Sequence, residues 1–353
     1  MSTPTVSAGY PRALLDFAVS IGADRRTLLA RSQINADDLQ NQDNRIPLAN
    51  YIALLKAGID SCKEPALALL FGEAVRMQDI SILGLIGETI ESAESGCRQI
   101  NRYARLALDE GDGDTSDRIE FAREGNNVWL KFTSPIYPEN PLVTESGFAR
   151  CVCGARAILE SIPVCKNLSF PKAIHFTHQE PSYRAEYDRI FRVPLVFGSH
   201  MNAIMIDAAF LNIRLPRTNP YLSEILSAHA ECLLKNLESS KSIKGRVESL
   251  LIPVLHTGEA SVDMIAGKLG LSRQTLFRKL KAEGVTFERV LDELRHTLAL
   301  DYLNGKNASV NETAYLVGFS EPAAFSRAFK RWTGSSPHHA RASKIANDRT
   351  VSS

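Results

Sequence analysis

The chain has 353 residues, 44% hydrophobic and 23% charged, with a net charge of +1. That length suits two domains, each with its own core, and the composition is that of an ordinary soluble globular protein. The start "MSTPTVSAGYPRALLDF" lacks a secretion signal's basic lead, apolar run and cleavage site, and the longest apolar runs ("LALLFGEAV") cannot span a bilayer. A soluble cytoplasmic protein without membrane partners is expected.

In chain order, the first hundred or so residues read as helical. "YPRALLDFAVSIG" puts Leu14, Leu15, Ala18 and Val19 on one face, and "LANYIALLKAGI" repeats the pattern. The period then shortens. "DRIEFAR" alternates at Ile119 and Phe121, "NNVWLKF" at Val128, Leu130 and Phe132, and "EGNN" between them predicts a β-hairpin. A helix around Phe148 to Ser161 and short strands near "KAIHFTH" and "NAIMID" complete an α+β domain with helix in excess, over residues 1–237. The fold class expected is mainly α, with this α+β N-terminal domain and an all-α C-terminal domain.

Chemistry is sparse in this part. Cys62, Cys97, Cys151, Cys153, Cys165 and Cys232 have no metal-type CxxC pair and read as reduced, buried small hydrophobes. "HFTH" has metal-like spacing at His175 and His178, but a strand would send the rings to opposite faces. "GDGDTSD" lacks a calcium loop's length and final Glu and reads as a solvated turn. No phosphate loop, nucleophile elbow or catalytic carboxylate pair stands out, so no catalytic residue, metal site or cofactor is expected.

"KNLESSKSIKGR" is polar, and a linker is expected at 238–246, before a C-terminal domain at 247–345. Charge divides there too. From Lys241 onward there are 17 Lys+Arg against 11 Asp+Glu, leaving 24 against 29 upstream. A basic module behind an acidic body points to a polyanion partner. Val247, Leu250, Leu251, Val254 and Leu255 form one apolar stripe. Ser261 caps a short helix with Val262, Ile265, Ala266 and Leu269 inside; Gly270 ends it and Ser272 caps the next. A long helix follows with Phe287, Val290, Leu291, Leu294, Leu298 and Tyr302 on one face. The short pattern then returns: Ser309 caps, Gly318 closes, and Ser320 caps a final helix with Phe325, Ala328, Phe329 and Trp332 inside.

The two segments "GLSRQTLFRKL" and "GFSEPAAFSRAFKRW" align at an offset of 48 up to Ser272 and Ser320, and of 49 from Leu276 and Phe325. A capped helix, a glycine turn and a second capped helix describe a helix-turn-helix, here present twice. With the apolar residues inward, Gln274, Phe277, Arg278 and Lys281 point outward from one second helix, and Ala323, Ser326, Arg327 and Lys330 from the other. One basic helical face is usually only a solvated surface. Two with the same glycine and arginine are better explained as recognition helices.

Residues from about Lys244 to Arg341 resemble the DNA-binding domain of the AraC/XylS family of bacterial transcription regulators. "GFSEPAAFSRAFKRWTGSSP" is similar to the family signature of Gly-Phe-Ser, Phe-x-Arg-x-Phe-Lys-Arg and Gly-x-Ser-Pro. The resemblance implies two helix-turn-helix units joined by the long helix and set in successive major grooves of double-stranded DNA. The DNA-facing set is then Arg273, Gln274, Phe277, Arg278 and Lys281 in the first unit, with Ala323, Ser326, Arg327, Lys330 and Arg331 in the second. Gln274 can pair with adenine, Arg278 with guanine, and Phe277 can touch a thymine methyl. Pro322, Ala323 and Ala324 offer few hydrogen bonds, leaving Arg327, Lys330 and Arg331 mainly for phosphates. The signature's closing Pro-x-x-Tyr-Arg is "PHHAR" here, with Ala340 in the aromatic place.

Residues from about Tyr10 to Leu237 resemble, more diffusely, the arabinose-binding-type N-terminal domain of the same family, in "YRAEYDRIFRVPLVFGSHMNAIMID" and "LNIRLPRTNP". That implies a small-molecule effector, whose identity and pocket residues it leaves open, a homodimer, and RNA polymerase as a further partner. Two alternatives stand beside this regulator: constitutive DNA binding with an N-terminal domain that only dimerises, and an enzyme fused to the DNA-binding domain. The second needs a reactive thiolate, and no cysteine has a His neighbour or metal-type spacing.

Overall fold

Residues 3–111, 117–160, 162, 169–215, 220–304 and 308–340 are described in a computed structural model of the chain. Two units separate, Met1–Lys235 and Asn236–Ser353.

The first unit begins with β1 (Thr5–Ser7), α1 (Gly9–Ser20), α2 (Arg25–Ser32), β2 (Arg45–Pro47), α3 (Leu48–Cys62) and α4 (Leu67–Ala74). The Asp24 carboxylate starts α2 by accepting the Thr27 N–H at 2.9 Å. Leu14, Leu15 and Ala18 of α1 are buried with Leu54, Leu55 and Phe71, as the helical stripe predicts. Val19 is not on that face; it stays 36% exposed. Next come α5 (Ile82–Gly87), α6 (Ala93–Ala107) and β3 (Leu108–Asp109). A small antiparallel sheet, β2-β1-β3, sets Val6 opposite both Ile46 and Leu108. Strands of two or three residues are too short to show a period, so this sheet was not expected.

β4 (Ile119–Glu124) and β5 (Asn127–Phe132) are the expected hairpin, followed by α7 (Ile136–Glu139), α8 (Pro141–Glu160), β6 (Ala173–His175), α9 (Arg184–Phe191), β7 (Leu195–Val196) and β8 (Ala203–Asp207). The five-stranded order is β4-β5-β8-β6-β7, antiparallel except between β6 and β7. Val128 opposite Ile206 and Leu130 opposite Ile204 turn one face onto Phe148 and Val152 of α8 and Phe191 of α9. Phe121 lies opposite Leu130 on that same face, but β4 is the edge strand and the ring stays 41% exposed. Helix α8 starts seven residues before Phe148 because its first turns bury Thr144, Glu145 and Ser146, polar residues that leave no apolar stripe. Ser161 lies outside the described residues, as do Cys165 and most of the acidic turn at 111–117.

The two "HFTH" rings go separate ways. His175 packs against Trp129 at 4.6 Å, whereas His178 sits among Phe176, Tyr187 and Phe197. Among the described residues no cluster of His, Cys, Asp or Glu could hold a metal ion. Burial pushes the Cys151 thiol up to about 11, that of Cys97 up to about 12, and that of Cys153 upward, so none is a ready thiolate. The expectation of buried cysteines is corrected: Cys62, Cys97, Cys151 and Cys153 are half-buried, and Cys232 is exposed on a helix surface. No helix among the described residues is long and apolar enough to cross a membrane.

Helix α10 (Pro220–Lys241) is followed by α11 (Ile243–Leu251), α12 (Val262–Lys268), α13 (Arg273–Ala282), α14 (Phe287–Asn304), α15 (Val310–Leu316) and α16 (Pro322–Thr333). The linker expected at 238–246 is therefore helical almost throughout. Its polar composition reflects exposure, and Ser242 caps α11 by accepting the Gly245 N–H at 2.9 Å. The stripe from Val247 to Leu255 does not belong to one helix either. α11 stops at Leu251 because Pro253 disfavours helix before it, and a 3-10 turn carries Leu255 inward. On α14, Phe287, Val290 and Leu294 enter one core, while Ala299 and Leu303 enter another. The buried stripe drifts between the two, which leaves Tyr302 37% exposed rather than inside.

Candidate nucleic-acid interface

The first half of the second unit is held by caps at each chain reversal. The Ser261 hydroxyl accepts the Met264 N–H at the start of α12. Gly270 turns the chain at φ +66°, and the Ser272 hydroxyl accepts the Thr275 N–H to open α13. Leu276 and Leu280 of α13 are fully buried with Val247, Leu251, Ile265 and Val290. Glu283, just past α13, reaches back to α11, where its carboxylate accepts the N–H groups of Ile243 at 2.7 Å and Lys244 at 2.9 Å. A carboxylate on a helix N-terminus satisfies orphan donors and is attracted to the positive end of the dipole. Lys244 also meets Glu293 of α14 at 2.6 Å, and Arg289 meets the same carboxylate at 2.8 Å.

The second half repeats the plan with one substitution. Ser309 and Glu312 form a reciprocal capping box at α15. Gly318 turns at φ +81°, in a tighter place than Gly270: a Cβ there would lie 2.3 Å from the Leu255 carbonyl oxygen, whereas one at Gly270 would meet nothing within 4 Å. Arg295 of α14 donates to the carbonyls of Val317 at 3.1 Å and Gly318 at 3.0 Å, and its guanidinium lies 4.6 Å from the Phe319 ring centre. Ser320 is not the cap of α16. Pro322 occupies the first helical position, where it has no N–H to satisfy, and Glu321 is the N-cap with no side-chain bond. The caps Ser272 and Glu321 are thus 49 residues apart, the same offset as Leu276 and Phe325. The two helices are therefore in register from their first residues, α16 running two residues further than α13, and the extra residue lies in the second turn.

Register fixes what each helix presents. Gln274, Arg278 and Lys281 of α13 are exposed, as are Ala323, Arg327 and Lys330 at the corresponding positions of α16. Among the described residues Gln274, Arg278, Lys281, Arg327 and Lys330 make no side-chain hydrogen bond or ion pair. Two of the predicted cations are already engaged. Arg273 meets Asp263 at 3.2 Å and lies 5.5 Å from the Phe277 ring centre, and Arg331 meets Asp292 at 2.6 Å. The outward placement of Phe277 is corrected: the ring is half-buried against the α11–α14 core. It stands next to Leu276 at the edge of the buried face, where a large apolar side chain gains most by leaning inward. Ser326, its counterpart, is half-buried as well. Ala340, in the place of the family's aromatic, packs at the margin of the second core.

The first unit contains a cavity of about 190 Å³ between β1, α6, β4, β5 and α8. Its wall is mostly apolar, including Val6, Leu83, Ile100 and Phe132, with Tyr51 and Arg150 among the few polar groups. The sequence marked Phe132 only as a strand residue and singled out none of the others. They come from separate segments and share no local spacing.

Two family models match the chain: the arabinose-binding domain of AraC transcription regulators, N-terminal, over residues 22–215, and a helix-turn-helix domain over residues 265–343. The chain is 26% identical over 343 residues to an ornithine utilization regulator of Pseudomonas aeruginosa, covering 94% of this chain and 95% of that one. It is 24% identical over 335 residues to the transcriptional regulator VirS of Mycobacterium tuberculosis, covering 93% of each. Among solved structures, the transcriptional regulator CdpR of Pseudomonas aeruginosa is matched at 21% identity and a TM-score of 0.39, over 90% of this chain and 96% of that one.

Proposed function

The chain belongs to the AraC family of DNA-binding transcription regulators, and from that premise we propose that α13 reads base edges while α16 mainly holds the backbone. The observation carrying this reading is the shared 49-residue register, which gives both helices an unpaired arginine and lysine at matching positions, Arg278 with Lys281 and Arg327 with Lys330. Beyond those cations only α13 presents an exposed amide, at Gln274; α16 has Ala323 there. An amide and a guanidinium in a major groove specify bases, whereas cations beside a methyl group mainly contact phosphates. Arg273 and Arg331 join the interface by exchanging an exposed carboxylate for a phosphate. Phe277 offers a thymine methyl only its uncovered edge.

In this reading the protein is a regulator rather than an enzyme, acting in the cytoplasm as a homodimer that engages RNA polymerase at its promoters. The apolar strip of Tyr221, Leu222 and Ile225 on α10, 69%, 45% and 48% exposed, suits a second copy. The cavity of the first unit supports control by a small-molecule effector. Site selection from randomised duplexes with the full chain tests the core of the reading. It should return a half-site with several fixed bases in one major groove and a tolerant groove about one turn away, with affinity falling steeply as salt rises. Two equally stringent blocks would end the division of labour.

A further inference from the structure

Arg150 projects from α8 into the first unit's cavity and is 6% exposed. Among the described residues it has no acidic or hydrogen-bonding partner, and its Nη1 is buried without one. The other charges on the wall neutralise each other: Arg118 meets Glu110 at 2.5 Å. The Tyr10 and Phe71 rings, 5.0 and 5.6 Å from the guanidinium, offset part of its desolvation but accept no hydrogen bond in plane. Beside it the Tyr51 hydroxyl is also buried, with the Ser146 side chain as its polar neighbour but no well-formed hydrogen bond, and burial pushes it up to about 12, so it remains a donor. A lone buried charge is among the costliest features a fold can keep. One left with a free donor edge, next to a buried phenol and an open apolar space, is completed by something that enters.

We infer that this cavity binds a small monocarboxylate with a compact apolar body, its carboxylate held by Arg150 and Tyr51. This inference rests on the effector reading above and names the ligand's chemical class. A guanidinium presents two parallel N–H groups that match a carboxylate, and the phenol donates a third bond. A single uncompensated positive charge matches one negative charge better than the two of a phosphate ester. Val6, Leu83, Ile100 and Phe132 give the remainder of the ligand a mainly apolar wall. The volume equals about six water molecules at ~30 Å³ each, below the ~300 Å³ at which drug-sized sites begin.

The test is thermal denaturation of the full chain with benzoate and isovalerate, against the matched neutral benzamide and isovaleramide. The acids should raise the melting temperature and the amides should not. Arg150→Gln should melt higher than the parent when unliganded, because it removes an uncompensated charge, and should bind the acids at least ~10-fold more weakly. Tyr51→Phe should fold normally and bind about 3-fold to 10-fold more weakly. Amides as effective as acids, no response to either acid, or an Arg150→Gln variant that melts lower or fails to fold each overturns the inference. The failure of effector control itself shows differently. If the acids bind as described but leave DNA affinity and transcription unchanged, the carboxylate site stands and the regulatory reading falls.

Discussion

Gly270 and Gly318 occupy the same place in the two repeats, yet alanine there should cost very different amounts. Both positions have positive φ, which costs a residue with a Cβ about 1–2 kcal/mol. The loss of unfolded-chain freedom returns about 0.4–1 kcal/mol of that. At Gly270 a methyl group meets nothing within 4 Å, so Gly270→Ala should cost about 1 kcal/mol. At Gly318 the methyl would stand 2.3 Å from the Leu255 carbonyl oxygen. That is backbone, and Leu255 is 1% exposed, so neither side can swing away. The turn must shift by most of an ångström, which overpacking studies put at about 1–3 kcal/mol. The same shift strains the two bonds from Arg295 to Val317 and Gly318, each worth about 1 kcal/mol. Gly318→Ala should therefore cost about 3–5 kcal/mol in all. The chain has two tryptophans, Trp129 in the first unit and Trp332 in the second. Urea titration in a Trp129→Phe background reads the second unit alone through Trp332 fluorescence. Costs for the two substitutions within about 0.5 kcal/mol of each other would refute the reasoning.

Other expectations follow from side chains already placed. Arg278→Ala should weaken DNA binding by about 1–3 kcal/mol and relax one base position, while Lys330→Ala should weaken all sequences alike; affinity over a set of single-base operator variants separates the two. Glu283→Ala should destabilise the second unit by about 0.5–2 kcal/mol, since two N–H groups that open α11 lose their carboxylate cap, and the Trp332 titration reads this too. Glu145 is buried beneath the Tyr183 hydroxyl, and desolvation raises its pKa to about 7. The folded state then keeps a proton that the unfolded chain has released, so this contribution is complete below about pH 4.3 and disappears as pH rises through 7. Glu145→Gln, uncharged throughout, should match the parent near pH 4 and exceed it by up to about 3 kcal/mol at pH 8. A parallel pH profile for the two proteins in thermal denaturation would exclude that carboxyl as the source.

The DNA-facing unit was legible because its signals are local. Ser261, Ser272 and Ser309 each stand one residue before a helix with an apolar period, and each caps the helix expected of it. Ser320 has the same appearance and fails because Pro322 fixes the helix start one residue later. Where one helix serves two cores, as α14 does, a single stripe cannot describe it, and the expected inner face is wrong by Tyr302. The exposed helix ending α10 has a linker's composition, and composition alone cannot tell them apart. The first unit was legible in its hairpin, where apolar residues alternate at Ile119 and Phe121 on one strand and at Val128, Leu130 and Phe132 on the other. It was opaque in its cavity, since Tyr51 and Arg150 meet only after α3 and α8 have packed.

The extra residue between the repeats has a genetic consequence. An α-helix turns by about 100° per residue, so a codon inserted within α16 would swing every later side chain by that angle. An insertion before Phe325 would move Phe329 to the exposed place of Lys330 and Arg327 to the buried place of Ala328, and binding and folding would be lost together. The same codon placed between Gly318 and Pro322 leaves the phase of the helix untouched. Length variation in the second repeat is therefore tolerated in a window of only a few residues, upstream of Pro322. Related chains can differ by single-residue insertions there and still present the same face to DNA.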